Sequence, residues 1–250
     1  MAIDTEKNSY TIIFAIVMVL VVGSILAGLA SGLKPLVDAN KRFEKQQNIL
    51  YAMGINANEG TSDVAFISTD KVEEEFTNTI TKQYVIEGSK IDSLNSEAYL
   101  IDIKKEETKA KDPNYTRKLP LFKGIKDGQP IYVIPIRGKG LWDAIWGFVA
   151  VDKAMVVQGV FFDHAGETPG LGAEIKQRYF MDDFAGEHIF GDADAFKGIT
   201  VAKGNADPKN ERKTDNAVDA IAGATITGDG VTAMIKKDLK MYVPYFKTLK

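Results

Sequence analysis

Residues Tyr10–Leu33, YTIIFAIVMVLVVGSILAGLASGL, hold no acidic, basic or amide side chain. As a helix rising about 1.5 Å per residue, this run spans a hydrocarbon core of about 30 Å with some tilt. A transmembrane helix is the reading that fits, because a buried soluble helix so uniformly apolar is unusual. A cleaved signal peptide is the rival. The run is long for a signal core, and the first nine residues carry Lys7 against Asp4 and Glu6, so cleavage is not expected. Gly23, Gly28 and Gly32 recur on a roughly helical period, which suits either close approach of a partner helix or the ordinary glycine content of such spans. A lone helix without ionisable groups forms no ion path, so any ion translocation belongs to partner subunits. Lys34, Lys41 and Arg42 follow the span against Lys7 before it, a count that by itself places the C-terminal part in the cytoplasm.

With the anchor set aside, the rest of the chain reads as an ordinary soluble domain. Leu36, Phe43 and Leu50 repeat every seven residues among polar neighbours, so the helix is expected to continue, now amphipathic, to about Gly54. Lys71–Gln83 reads as helix, Tyr84–Glu87 as the start of a strand and Ala98–Ile103 as a strand. Lys104–Lys118 is almost free of apolar side chains and reads as a solvated loop. Ile131–Ile136, Trp146–Val151 and Met155–Phe162 are apolar runs bounded by Gly, Pro or Asp and read as strands, with helices at Ala173–Phe184 and Thr227–Tyr245. The expected fold class is therefore α+β, with antiparallel neighbours, behind a single N-terminal transmembrane helix. The expected division is a tail at 1–9, the span at 10–33, a juxtamembrane helix at 34–54, an N-terminal part of the soluble domain at 55–120, and a ligand-binding part at 121–250.

Composition narrows the chemistry. The chain has no cysteine, which excludes disulfides, thiolate metal sites and iron–sulfur ligation by its own residues. Only His164 and His188 are available as imidazole ligands, and no metal-site spacing surrounds them. A net charge of −3 gives no electrostatic case for nucleic acid. Redox chemistry here would need an organic cofactor.

Three segments carry the candidate site. Gly138-Lys-Gly-Leu-Trp142 is a hairpin turn that either leads into a core tryptophan or aims Trp142 at a ring or partner. His164-Ala-Gly-Glu-Thr-Pro-Gly-Leu-Gly-Ala-Glu174 follows a strand; its glycines let backbone approach a ligand, and Glu167 and Thr168 can hydrogen-bond one. It lacks the Gly-Lys-Ser/Thr ending of a P-loop and the Rossmann glycine spacing, and a purely structural loop is as good a reading. In Asp219-Ala-Ile-Ala-Gly-Ala-Thr225-Ile-Thr227, small residues leave Thr225 accessible ahead of a helix. A phosphate there would meet the helix N-terminus, and Asp219 could orient a cation or hydroxyl. The plain alternative is a loop in which Thr227 or Asp229 caps the helix.

The order GKGLW, H-x-x-ETPGLG and D-x-x-x-GAT before a C-terminal helix resembles the C subunit of the sodium-translocating NADH:quinone oxidoreductase. Its flavin-binding domain is shared with the G subunit of the Rnf electron-transport complex. The resemblance covers nearly the whole chain, and the length and the Gly-Leu-Trp segment favour the quinone-reductase subunit. The resemblance implies FMN bound by a phosphoester to Thr225, installed from FAD by a separate flavin transferase, with Gly223, Ala224 and Asp219 matching the attachment motif. Ala222 stands where the family usually has Ser or Thr, which bears on the efficiency of attachment. It also implies that Thr168, Leu171 and Gly172 contact the flavin, that Lys203 faces its ring or phosphate, and that the soluble domain lies on the periplasmic side of the bacterial inner membrane. The implied partners are the other subunits of the complex, the transferase and the lipid bilayer. An Rnf-type subunit, or a membrane-anchored binding or scaffold protein without redox activity, are the alternatives.

Overall fold

The computed structural model describes residues 7–92, 96 and 98–249, so most of the expected 1–9 tail lies outside the described residues. The chain divides after Phe43 into two units.

Past Lys7, the described residues of the first unit belong to helix α1 (Asn8–Ala52). Its most apolar stretch has a mean hydropathy of 2.9 with none of it buried. Ile12, Phe14, Val19, Leu20, Ile25, Leu26 and Leu29 are all exposed. An apolar surface this continuous is far larger than soluble proteins leave in water, and it matches a single-pass anchor in lipid. Cβ atoms placed on Gly23, Gly28 and Gly32 would meet nothing within 4 Å. The helix runs past Leu33 without a break, through Pro35, whose missing N–H removes one hydrogen bond from the ladder.

The second unit begins with the last turns of α1, whose Ile49, Leu50, Tyr51 and Ala52 are buried. Tyr51 packs on Phe66 and Phe161 at ring separations of 5.4 and 5.9 Å. After α2 (Val72–Thr79) come β1 (Ile80–Glu87), β2 (Lys90–Asp92), α3 (Ile103–Lys109), β3 (Lys118–Lys126), β4 (Gln129–Lys139), β5 (Ala144–Val151) and β6 (Val157–His164). These strands form one antiparallel sheet in the order β2-β1-β3-β4-β5-β6. The β3–β4 hairpin closes on Asp127 and Gly128, both at positive φ, as a two-residue turn matched to strand twist requires. A helical turn α4 (Arg178–Met181), a short parallel pair β7 (Thr200–Val201) and β8 (Ala217–Val218), and the long helix α5 (Thr225–Lys247) complete the unit. Helix α5 buries Val231, Met234, Ile235, Leu239, Tyr242 and Phe246 at helical spacing, with Phe246 edge-on to Tyr132 of β4 at 5.2 Å.

Four expectations are corrected. Lys71–Gln83 is not helix throughout: α2 ends at Thr79, and the strand expected from Tyr84 begins at Ile80, paired with β3. Ala98–Ile103 is not a strand: Ala98–Leu100 is a 3₁₀ turn, and α3 begins at Ile103 behind Asp102, whose side chain accepts from Lys105 N at 3.1 Å. Lys104–Lys118 is not simply a solvated loop, because its first half is α3 and Glu106 is buried. The Glu106 carboxylate accepts from Tyr115 Oη (2.7 Å), Lys118 N (3.0 Å) and Lys109 Nζ (2.9 Å). Ala173–Phe184 is not one helix: the chain turns extended at Gln177 (ψ 148°), between a 3₁₀ turn at Gly172–Lys176 and α4.

Candidate functional site

The site forms where the β4–β5 turn, the loop after β6 and the start of α5 meet. Gly223, at φ 72°, turns the chain into Ala224, which sits at the N-cap position without a side-chain cap. Thr225 is then the first helical residue, and it is exposed. The opening N–H groups of a helix have no intrahelical acceptor and face outward, so this end favours a negatively charged group. Thr227, two residues on, is buried (1% exposed). The expected role of Thr227 as helix cap is corrected: it lies inside the first turn, and its hydroxyl donates to Glu167 Oε2 at 2.6 Å.

Glu167 is the hub of this junction. It is buried, and its Oε1 accepts from Trp142 N at 2.9 Å and, more weakly, from Asp143 N at 3.4 Å. Burial pushes the carboxyl pKa up, but the bonds from Thr227 and from the backbone N–H groups of Trp142, Asp143 and Leu141 outweigh it. The group therefore titrates below the ordinary value of 4.5. Glycines clear the space around it: a Cβ on Gly140 would overlap Glu167 Oε1, and one on Gly172 would overlap both Oε2 and the Thr227 hydroxyl. Trp142 does not enter the core. It is 66% exposed, and its indole Nε1 donates to Thr168 Oγ1 at 3.1 Å. The loop folds on itself through Leu171 N and Ala173 N, both donating to Thr168 O at 3.1 Å.

A cavity of about 230 Å³ opens here. Glu167, Thr168, Leu171 and Gly172 line it from the loop, and Gly223, Ala224, Thr225, Ile226 and Thr227 from the start of α5, with Leu141 from the turn. Small-molecule sites usually enclose roughly 300–1,000 Å³. This cleft is smaller, which suits a ligand held partly in and partly in solvent. Leu141, Leu171 and Ile226 give it an exposed apolar rim (44%, 41% and 58% exposed). Leu141 and Ile226 were not singled out from the sequence; their only local signal is their place inside the Gly-Leu-Trp and Thr-Ile-Thr segments.

Three candidate residues do not line the cavity. Trp142 meets it only through its bond to Thr168. Lys203 is exposed and does not line the cavity. Asp219 does not line it either: its Oδ1 accepts from Ala206 N at 2.9 Å and Asp207 N at 3.2 Å, pinning the loop after β7. Among the described residues no group of His, Cys, Asp or Glu is arranged to hold a metal ion.

Comparison with known proteins gives this geometry a context. Residues 140–240 match the family described as the FMN-binding domain, a segment that holds every candidate residue above. The chain is 31% identical to the C subunit of the Na(+)-translocating NADH-quinone reductase of Neisseria meningitidis serogroup B, over 99% of this chain and 96% of that one. It is 30% identical to the C subunit of the same enzyme from Pseudomonas aeruginosa, over 93% and 91%. The crystal structure of the C subunit from Parabacteroides distasonis superposes with a TM-score of 0.70 at 30% identity, covering 86% of this chain and 96% of that one.

Proposed function

We propose that this chain, which belongs to the C subunit family of the Na(+)-translocating NADH-quinone reductase, carries FMN on Thr225 through a phosphoester bond and passes electrons along that complex. The observation that carries the assignment is the contrast between two neighbouring hydroxyls. Thr225 is exposed at the edge of the cavity, whereas the Thr227 hydroxyl is buried and committed to Glu167. A modifying enzyme can reach the first and not the second.

The residues present suit the group. Leu141, Leu171 and Ile226 offer apolar surface to a ring, and the Thr168 hydroxyl and Trp142 indole stand beside it. The first turn of α5 offers its N–H groups to a phosphate. Transfer from FAD by a separate transferase would form the Thr225 Oγ–P bond and break the pyrophosphate bond, with AMP leaving and the hydroxyl proton passing to the transferase. Flavin chemistry accepts one or two electrons, so it joins a hydride donor to one-electron carriers. The chain's own residues need only bind and orient. In this reading 121–250 forms the flavin-binding part, 55–120 supports it, and the soluble unit faces the periplasm, against the simple count of Lys34, Lys41 and Arg42.

The test is the denatured polypeptide produced together with the transferase. Its band should fluoresce under ultraviolet light for the natural sequence and for Thr227→Val, and stay dark for Thr225→Val. A dark band from the natural sequence refutes covalent attachment.

A further inference from the structure

We infer that Glu167 is a positioning residue of the flavin site, locking the 140–143 turn and the first turn of α5 onto the 167–172 loop and fixing a negative charge in the cavity wall beside Thr225. The inference rests on the reading that the flavin occupies this cavity.

The four groups that meet the carboxylate are all donors: the N–H groups of Leu141, Trp142 and Asp143, and the hydroxyl of Thr227. An ionised carboxylate accepts at both oxygens and has no hydrogen to turn against them, so it satisfies this set as no other side chain of its length does. The three segments it joins each contribute to the cavity: Leu141 from the turn, Thr168 and Leu171 from the loop, Thr225 and Ile226 from the helix. The spacing is also enforced by what is missing, since Gly140 and Gly172 leave no room between the carboxylate and the backbone. Glu167 thus sets where Thr225 stands relative to Thr168 and Leu171.

Charge is the second consequence. Glu167 is the one ionisable side chain among the described residues lining the cavity. A fixed negative charge in a partly desolvated wall opposes the arrival of an electron on a neighbouring ring, so it holds the flavin's midpoint potential down. Position and charge can be separated. In Glu167→Gln the amide oxygen still accepts from the turn. The amide nitrogen then faces the Thr227 hydroxyl, which can rotate its hydrogen away and accept. That variant keeps the ties and removes the charge, whereas Glu167→Ala removes both.

The experiment uses the full chain produced with its flavin transferase and purified in detergent. It compares the natural sequence, Glu167→Gln and Glu167→Ala for covalent flavin content, melting temperature and midpoint potential by spectroelectrochemical titration. Glu167→Gln is expected to keep its flavin and show a raised potential, while Glu167→Ala loses most of its flavin. An unshifted potential in flavin-loaded Glu167→Gln, or loss of its flavin while the domain still melts cooperatively, overturns the inference. So does full flavin loading of Glu167→Ala. A natural chain that takes up no covalent flavin instead sinks the preceding reading, and the two failures are told apart by that control.

Discussion

Thr227→Val removes one hydroxyl and almost no volume. In the structure that hydroxyl gives Glu167 Oε2 a bond of 2.6 Å inside a junction where both side chains are almost fully buried. A hydrogen bond to a charged group contributes about 1.5–3 kcal/mol, and its removal leaves a buried acceptor without its donor. For a domain of this size each kcal/mol moves the melting temperature by about 2–4 °C, so the variant should melt about 3–12 °C lower at pH 7. The effect must also depend on pH. The folded Glu167 carboxyl titrates below the ordinary 4.5, so its contribution is present above that value and is lost as the pH falls through the lower, folded one. Below it the bond becomes a neutral one of about 0.5–1.5 kcal/mol, and the gap between natural and variant proteins should narrow. Calorimetry of the full chain in detergent at pH 7 and across the acid range measures both. A Thr227→Val protein that melts like the natural one at pH 7, or a gap that does not narrow in acid, refutes the idea that an ionised Glu167 ties this helix to the loop.

Gly172→Ala puts a methyl group where Glu167 and Thr227 already meet, and such overpacking should cost about 1–3 kcal/mol, read by the same calorimetry. Glu187 behaves in the opposite sense to Glu167. It is fully buried, neither oxygen has a hydrogen-bond donor among the described residues, and Lys213 Nζ is 4.0 Å away. Burial pushes its pKa up to about 7, with Lys213 pulling the other way, so the folded state holds a proton that the unfolded chain releases near 4.5. Stability should therefore fall as the pH rises from about 4.5 to about 7, and urea titrations of Glu187→Gln should show that slope flattened, with the largest gain above pH 7. For topology, protease added to intact spheroplasts should digest the soluble unit. Protection there, with digestion in inside-out vesicles, would reverse the orientation.

The anchor and strands β4, β5 and β6 are legible in the sequence because their apolar runs are continuous, rich in β-branched and aromatic residues in the strands, and bounded by Gly, Pro or Asp. Ala98–Ile103 is an apolar run of the same length as Ile131–Ile136, so length and composition do not separate it from a strand; the local signal against one is Asp102, which caps α3. The Lys104–Lys118 segment misleads for a different reason. Its polarity is real, but Glu106 turns inward to collect Tyr115, Lys109 and the Lys118 N–H, and local composition cannot report a buried carboxylate with that many donors. The site shows the same limit. Its three segments are visible as motifs, and Thr225 stands out by its small neighbours. Thr227, however, reads locally as a cap, and its true partner Glu167 lies 60 residues earlier in the chain. Only the folded sheet brings the two together.

Where the flavin is attached decides most directly between Thr225 and every rival. Peptide mass spectrometry of the chain produced with its transferase should find the mass of FMN less water on the peptide containing Thr225, with fragment ions placing it on that residue. Thr225→Ala should lack the mass, and the Thr227→Val peptide should keep it. The same mass on the Thr225→Ala peptide, or its absence from the natural chain, would contradict the assignment.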